Sequence, residues 1–389
     1  MRSDIHLRIL VAPQELKGTL TASEAAEVLA DALRDTVPRA ELDVAPMADG
    51  GPGTVEALVR AGAGQIRTRR VTGPLGGPVE ARWGVLDSGR TAVVEMAAAS
   101  GLSLLAPEAL DPERATSFGS GELIRAALDE GCRRIIVGLG GSATNDGGAG
   151  AVTALGIQLL DRCGAPLHPG GAELLGLERI ELSGRDPRLE QTELQLATDV
   201  INPLLGPNGA SAVYGPQKVA DADTVALLDR ALAHFAHKVR GFSGRDLASE
   251  PRTGAAGGLA FGLAALCGGM LSPGFELIYQ ALRLGERLEA ADVVITAEGG
   301  LDGQTAQGKG PGELARRARA AGKRTVIFAG RVDPAFDLSA SPFDEAYAIT
   351  PAGLPLAEAK ARAAALLGEA ARRWAVQTFR HSSSSSTFQ

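Results

Sequence analysis

Three glycine-rich turns, with a few carboxylates and lysines around them, are the parts of this sequence whose types and spacing suit the handling of phosphate. The longest turn is Val137-Gly-Leu-Gly-Gly-Ser-Ala-Thr-Asn-Asp-Gly-Gly-Ala-Gly150, set between an apolar strand-like run and an apolar helix. Backbone N–H groups bare of side chains, at a helix start, form a seat for anions, so Gly140, Gly141, Ser142, Asn145, Asp146, Gly147 and Gly148 are candidate phosphate contacts. Gly138-x-Gly140-x-x-Ala143 also satisfies a relaxed dinucleotide fingerprint, with Asp161 further on as the acid that would meet a ribose. A second turn, Glu298-Gly-Gly-Leu-Asp-Gly-Gln-Thr-Ala-Gln-Gly-Lys-Gly310, holds most of a P-loop. Gly310 stands where that motif needs its magnesium-binding Ser or Thr. What survives is a weaker cradle of Gly303, Gln304 and Lys309, with Glu298 and Asp302 as carboxylates to hold magnesium through its waters.

The third turn, Pro46-Met-Ala-Asp-Gly-Gly-Pro-Gly53, puts Asp49 at the carboxyl end of a strand, with Gly50 and Gly51 beside it as substrate contacts. Lys17 follows the first strand at the corresponding edge, and Asp199 and Asn202 follow the run 193–197. A lysine, a carboxylate and phosphate-friendly turns are what phosphoryl transfer requires, since that catalysis is positioning, charge neutralisation and one base near the accepting hydroxyl. Plain structural roles compete: a surface lysine at 17, a solvated acidic loop at 298–302, turn chemistry at Asp199 and Asn202. No Ser-His-Asp or Cys-His set assembles, because the five histidines lie away from these turns.

The elements that must position these residues alternate as in an α/β protein. Residues 7–12 read as a buried strand, and Thr21 with Glu24 has capping-box spacing, which predicts a helix running to about Thr36. Residues 41–47 predict a second strand, and a helix follows the third turn through Val59. The short β-prone runs 67–71, 79–85 and 91–96, separated by Gly-Pro and Ser-Gly turns, look antiparallel and suggest a second domain entering near residue 75. Helix 119–130 with strand 133–138, and strand 290–297 with helix 311–321 and strand 325–329, return to alternation.

Composition bounds the function. At 389 residues the chain exceeds one compact core, so two domains are expected. With 39 basic against 46 acidic residues the net charge is −7, which argues against a nucleic-acid partner. Apolar runs fall short of a membrane span, and three scattered cysteines suit neither a disulfide framework nor zinc, so a reducing cytoplasm is expected. Fifty residues are glycine, nearly twice the usual share of roughly 7%.

At its turns the sequence resembles the bacterial type 1 glycerate kinase family. Val11-Ala-Pro13, Leu16-Lys-Gly-Thr-Leu-Thr-Ala22, Pro46-Met-Ala-Asp-Gly-Gly51 and Val71-Thr-Gly-Pro-Leu-Gly76 begin an ordered series. It continues through Glu95-Met-Ala-Ala-Ala-Ser-Gly101, Thr116-Ser-Phe-Gly-Ser-Gly-Glu122, the turn 138–150, Asp199-Val-Ile-Asn-Pro-Leu204, Gly215-Pro-Gln-Lys218, Gly254-Ala-Ala-Gly-Gly258 and Leu301-Asp-Gly-Gln-Thr305. The resemblance implies a flavodoxin-like parallel-sheet domain, residues 1–75 plus 286–379, with a mixed α/β domain, 76–285, inserted in it, and the run of five serines makes the tail 380–389 one expected to be disordered. It further implies ATP- and magnesium-dependent phosphorylation of D-glycerate by a monomer or homodimer. In that scheme Lys17, Asp49 and Asp199 are catalytic, and Lys309 and the glycine turns meet the nucleotide. Pro52 replaces the family's usual glutamate, Gly300 its arginine, Ala297 a glycine, and Pro13-Gln-Glu15 its common Asp-Ser-Phe. The competing readings are an NAD(P)-dependent hydroxy-acid dehydrogenase built on residues 138–143 and a catalytically weak nucleotide or organic-acid sensor.

Overall fold

The computed structural model describes residues 7–380 except 17, 49, 63, 244–245, 303–304 and 306–309. In chain order its strands are β1 (Arg8–Val11), β2 (Glu41–Val44), β3 (Gln65–Thr72), β4 (Pro78–Leu86), β5 (Thr91–Glu95), β6 (Arg134–Gly138), β7 (Gln158–Leu160), β8 (Arg179–Glu181), β9 (Glu193–Ala197), β10 (Met270–Ser272), β11 (Val293–Leu301), β12 (Arg324–Val332) and β13 (Glu345–Ala348). Two compact units share them. One comprises the chain up to Ala48 and from Ile278 onward, the other Asp49–Leu277.

In the first unit β13, β12, β11, β1 and β2 lie side by side in that order, all parallel. Counted within the unit from the β2 edge, the order is second, first, third, fourth, fifth, which is the flavodoxin-like arrangement. Ile9, Leu10 and Val11 are fully buried, as a central parallel strand covered on both faces requires. The helix Ala22–Thr36 starts where its capping box predicts: Glu24 N–H donates to the Thr21 hydroxyl, and Thr21 N–H donates to the Glu24 carboxylate. Its buried Leu29 and Leu33 share a core with Phe328 of β12 and Trp374 of the helix Ala363–Arg380.

The second unit has a six-stranded sheet in the order β10-β9-β6-β5-β4-β3. β3, β4 and β5 pair antiparallel, whereas β5, β6, β9 and β10 are parallel. Register aligns Glu95 with Gly138, Gly138 with Ala197, and Ala197 with Ser272, so four carboxyl ends share one edge. The helix Phe118–Asp129 contributes Leu123 and Ile124 to the core, where Phe235 and Phe261 meet edge to face at 5.7 Å.

The compact units divide at 48/49 and 277/278, where the sequence reading sets the boundaries after 75 and 285. The antiparallel style that begins at β3 does mark the second domain, but β3 is already its edge strand, paired with β4 from Gln65–Val85 to Thr72–Pro78. The helix Thr54–Ala61 packs on that sheet: a Cβ at Gly84 of β4 would lie 2.5 Å from Val59 Cγ2.

Candidate active site

The carboxyl edge of the second unit's sheet is built by backbone meeting backbone. Gly50, in the left-handed region at φ +88°, lies so close to β9 that a Cβ there would sit 2.6 Å from the Ala197 carbonyl oxygen. A Cβ at Gly138 would fall 2.4 Å from the Gly50 oxygen, and Gly140 N–H donates to that oxygen at 3.1 Å. Loops from three places in the sequence thus touch with no side chain between them, which glycine alone permits. Gly51 closes the first loop, its carbonyl accepting the Thr54 hydroxyl at 2.6 Å. Glu95, at the end of β5, takes the Val55 N–H at 2.7 Å and steadies the start of the helix Thr54–Ala61. Burial pushes the Glu95 carboxyl up to about 7, against the opposing pull of the Val55 and Gly53 N–H groups.

The turn 138–150 divides into an exposed tip and a buried root. Gly141 is exposed, at φ +76°, with Pro52 packed beside it; Gly140 is half-buried and Ser142 buried. From Ala143 to Ala149 every residue is buried. Asp146 organises the root: one oxygen accepts Ser117 N–H and Oγ–H, both at 2.8 Å, and Gly150 N–H at 3.1 Å, while the other accepts Gly148 N–H at 3.1 Å. Burial, the larger effect, raises the Asp146 pKa above the usual carboxylate value, and these four donors oppose it. Gly147 N–H donates to Gly257 O at 3.0 Å, Asn145 Nδ2 to Ser211 Oγ at 2.9 Å, and Lys218 Nζ to Thr144 O at 2.6 Å.

The expectation set the glycine run 140–148 against phosphate, and several of its groups are engaged within the fold. The N–H groups of Gly140, Gly147 and Gly148 are spent inside the fold, and Asn145 and Asp146 are fully buried. The dinucleotide reading loses its footing for the same reason. Asp146 occupies N–H groups at the start of the six-residue helix Ala149–Ala154, and Asp161 is tied into a local turn by the N–H groups of Cys163 and Ala165.

Asp199 stands exposed just beyond β9, with Phe275 N–H donating to its Oδ1 at 3.2 Å. Asn202 is a tie rather than an open contact: its Oδ1 accepts the Tyr214 hydroxyl at 2.7 Å and its Nδ2 donates to Asn208 O at 2.8 Å. In the first unit, Glu298 lies near the carboxyl end of β11, at the switch between β1 and β11 where flavodoxin-like sheets bind ligands. The strand continues to Leu301, so Asp302 stands roughly 13 Å further along the chain, too far for both carboxylates to ligate one ion directly. Lys17, Asp49, Gly303, Gln304 and Lys309 lie outside the described residues.

Sequence reasoning passed over Glu95, Ser117 and Lys218. All three fall inside motif runs quoted for the resemblance, where no role was attached to them, and Lys218 also follows Ser211 and Tyr214 at helical spacing. Among the described residues no helix is long and apolar enough to cross a membrane.

A sequence profile of the glycerate kinase family matches residues 9–378. The chain is 43% identical over 369 residues to a glycerate kinase of Halalkalibacterium halodurans, covering 95% of this chain and 97% of that one. It is 45% identical over 324 residues to the glycerate 2-kinase of Escherichia coli K12, covering 83% and 85%. The crystal structure of a Salmonella typhimurium LT2 protein assigned as glycerate kinase 2 superposes with a TM-score of 0.85 at 42% identity, covering 97% of this chain and all of that one.

Proposed function

The chain belongs to the glycerate kinase family, which makes it a kinase acting on a hydroxyl, and from that premise we propose that it transfers the terminal phosphoryl group of ATP to D-glycerate. The 2-hydroxyl, the position in the E. coli relative's name, is taken as the acceptor. The observation that supports this reading is the carboxyl edge of the second sheet, where the Gly141 tip and the Asp199 carboxylate both emerge beyond parallel strands.

In this reading the exposed Gly141 at the tip of the turn receives phosphate oxygens, and Gly140, Ser142, Asn145, Asp146, Gly147 and Gly148 hold that tip in place. Asp199, steadied by the Phe275 N–H, is the base. It takes the proton of the acceptor hydroxyl as the new O–P bond forms. The bond from the terminal phosphorus to ADP breaks, and ADP leaves with the electron pair. Asp49 is the alternative base, and Lys17 and Lys309 the cations that offset developing charge; these roles rest on sequence position. Magnesium in such sites takes one or two carboxylates and completes its shell with phosphate oxygens and water. Glu298 and Asp302 are the carboxylates that would hold magnesium. When bound, it would supply charge neutralisation on the phosphates.

The test is ADP release with D-glycerate, with and without magnesium, and phosphorus NMR of the product. ADP formed only when glycerate and magnesium are both present, with 2-phosphoglycerate as product, is the expected result. The 3-phospho isomer would overturn the choice of hydroxyl, and absence of ADP the kinase reading.

A further inference from the structure

Lys218 is, after Trp374, the largest side chain fully buried among the described residues. Its Nζ has one partner among those residues, the Thr144 carbonyl oxygen at 2.6 Å, and no carboxylate within ion-pair distance. An ammonium so placed is strongly unfavourable for folding, and a methionine would fill the same space without that penalty. The fold does not need a cation there, which directs attention to what the cation holds.

Lys218 is the last of three polar side chains spaced three and four residues apart on the helix Ala210–Tyr214 and the 3-10 turn Pro216–Lys218 that follows it. Ser211 holds Asn145, Tyr214 holds Asn202, and Lys218 holds Thr144. One short segment therefore fastens both the root of the glycine turn and the loop that carries Asp199. Beside the Lys218 bond, Asn145 Oδ1 is fully buried with no hydrogen-bond partner among the described residues. The root is thus under-satisfied on the acceptor side at the place where the ammonium enters.

We propose that Lys218 is a positioning residue of the nucleotide site: it grips the Thr144 carbonyl from beneath, sets the conformation of residues 140–142, and lends that tip a positive potential from inside the fold. The inference rests on the tip being the phosphate contact. It also accounts for how an acidic chain with a side-chain-free turn attracts a polyanion. Burial lowers the Lys218 pKa to about 7, opposed by the field of Asp146. Of the other titratable or charged groups on the elements packed around it, Tyr214 turns its hydroxyl to Asn202, Asp229 of the helix Ala222–Ser243 accepts Gly206 N–H, and Arg252 donates to Thr198 O. Lys218 is therefore charged below neutrality and loses its charge as pH rises, and affinity for an anionic nucleotide falls in the same direction.

The experiment is ADP titration calorimetry on wild type, Lys218→Met and Lys218→Arg between about pH 6 and about pH 8. Expected are a loss of ADP affinity of about 10- to 100-fold in Lys218→Met at the acid end, partial recovery in Lys218→Arg, and a decline with pH in wild type that neither variant shows. In turnover assays the loss appears in KM for ATP more than in kcat. A folded Lys218→Met variant that binds ADP within about twofold of wild type at both pH values overturns the proposal. Should that variant not fold, wild-type affinity that changes with pH no more than that of Lys218→Arg overturns it equally. Glycerate-dependent ADP release by wild type is scored separately, so failure of the kinase reading is distinguishable from failure of this one.

Discussion

Replacing Glu95 by glutamine should make the protein more stable above neutral pH and leave it unchanged in acid. Glu95 sits half-buried at the end of β5, and its carboxyl is pushed up from 4.5 to about 7 by burial, in spite of the N–H groups of Val55 and Gly53. The folded state therefore binds about one more proton than the unfolded chain between those two values, and stability falls as pH rises through that window. At about 1.4 kcal/mol per pH unit the full effect is about 3 kcal/mol, present as a penalty in wild type above pH 7. Glutamine carries no charge to desolvate and keeps an oxygen for the Val55 N–H, so the penalty disappears while the helix start stays capped.

The chain offers a clean reporter for this. Its two tryptophans, Trp83 in β4 and Trp374 in the helix Ala363–Arg380, are both buried and fall one in each unit. In a Trp374→Phe background, urea unfolding followed by Trp83 fluorescence reads the unit that contains Glu95. Midpoints with and without the Glu95→Gln substitution should coincide near pH 4 and separate by about 1 M urea near pH 8, the glutamine variant being the more stable. A constant difference across that range, or a glutamine variant less stable at pH 8, would refute the burial argument.

Asp199→Asn keeps an oxygen for the Phe275 N–H and removes the base; kcat should drop by about 10²- to 10⁴-fold with the melting temperature little changed. A kcat close to wild type would shift the base to Asp49. Gly50→Ala forces a Cβ to 2.6 Å from the Ala197 oxygen at φ +88°, and should lower stability by about 2–4 kcal/mol in urea titrations, with activity falling alongside. Val219 is 59% exposed and holds φ +63°, a left-handed conformation hostile to a β-branched residue, so Val219→Gly should stabilise by about 1 kcal/mol in the same titration. Gly300→Arg meets open space, a Cβ there touching nothing within 4 Å. Fold and melting temperature should be retained while KM for ATP falls several-fold if the guanidinium clamps phosphate.

Local signals in the sequence carried through to the fold because the forces behind them are local. The Thr21–Glu24 capping box needs only its own turn, and the helix Ala22–Thr36 begins and ends where the pattern says. The β-prone runs around 67–96 became an antiparallel trio, since Gly-Pro and Ser-Gly turns decide chain reversal on the spot. The position of the domain seam was not legible. Whether β3 closes one sheet or opens another depends on its partner, and nothing in residues 65–72 says that the partner is β4 rather than a strand of the first unit.

The glycine turns were legible as close approaches of backbone, and their hydrogen-bond partners were not. Glycine at strand ends is correctly read as backbone brought close to something, but the sequence does not say to what. At Gly50, Gly138 and Gly140 the something is another stretch of the same chain; at Gly147 and Gly148 it is Gly257 and Asp146, whose acceptors consume the N–H groups that otherwise serve phosphate. Lys218 stood in the sequence only as part of the run Gly215-Pro-Gln-Lys218, with no role attached, for the converse reason. A lysine's default is solvent, and only the packing of residues more than seventy positions away turns it into a buried cation beneath a loop. In a chain with 50 glycines much of the backbone's donor capacity is used to bind loop to loop, so an anion site needs its positive potential from a source other than free N–H groups. On the proposal made for Lys218, a buried ammonium bonded to the Thr144 carbonyl is that source.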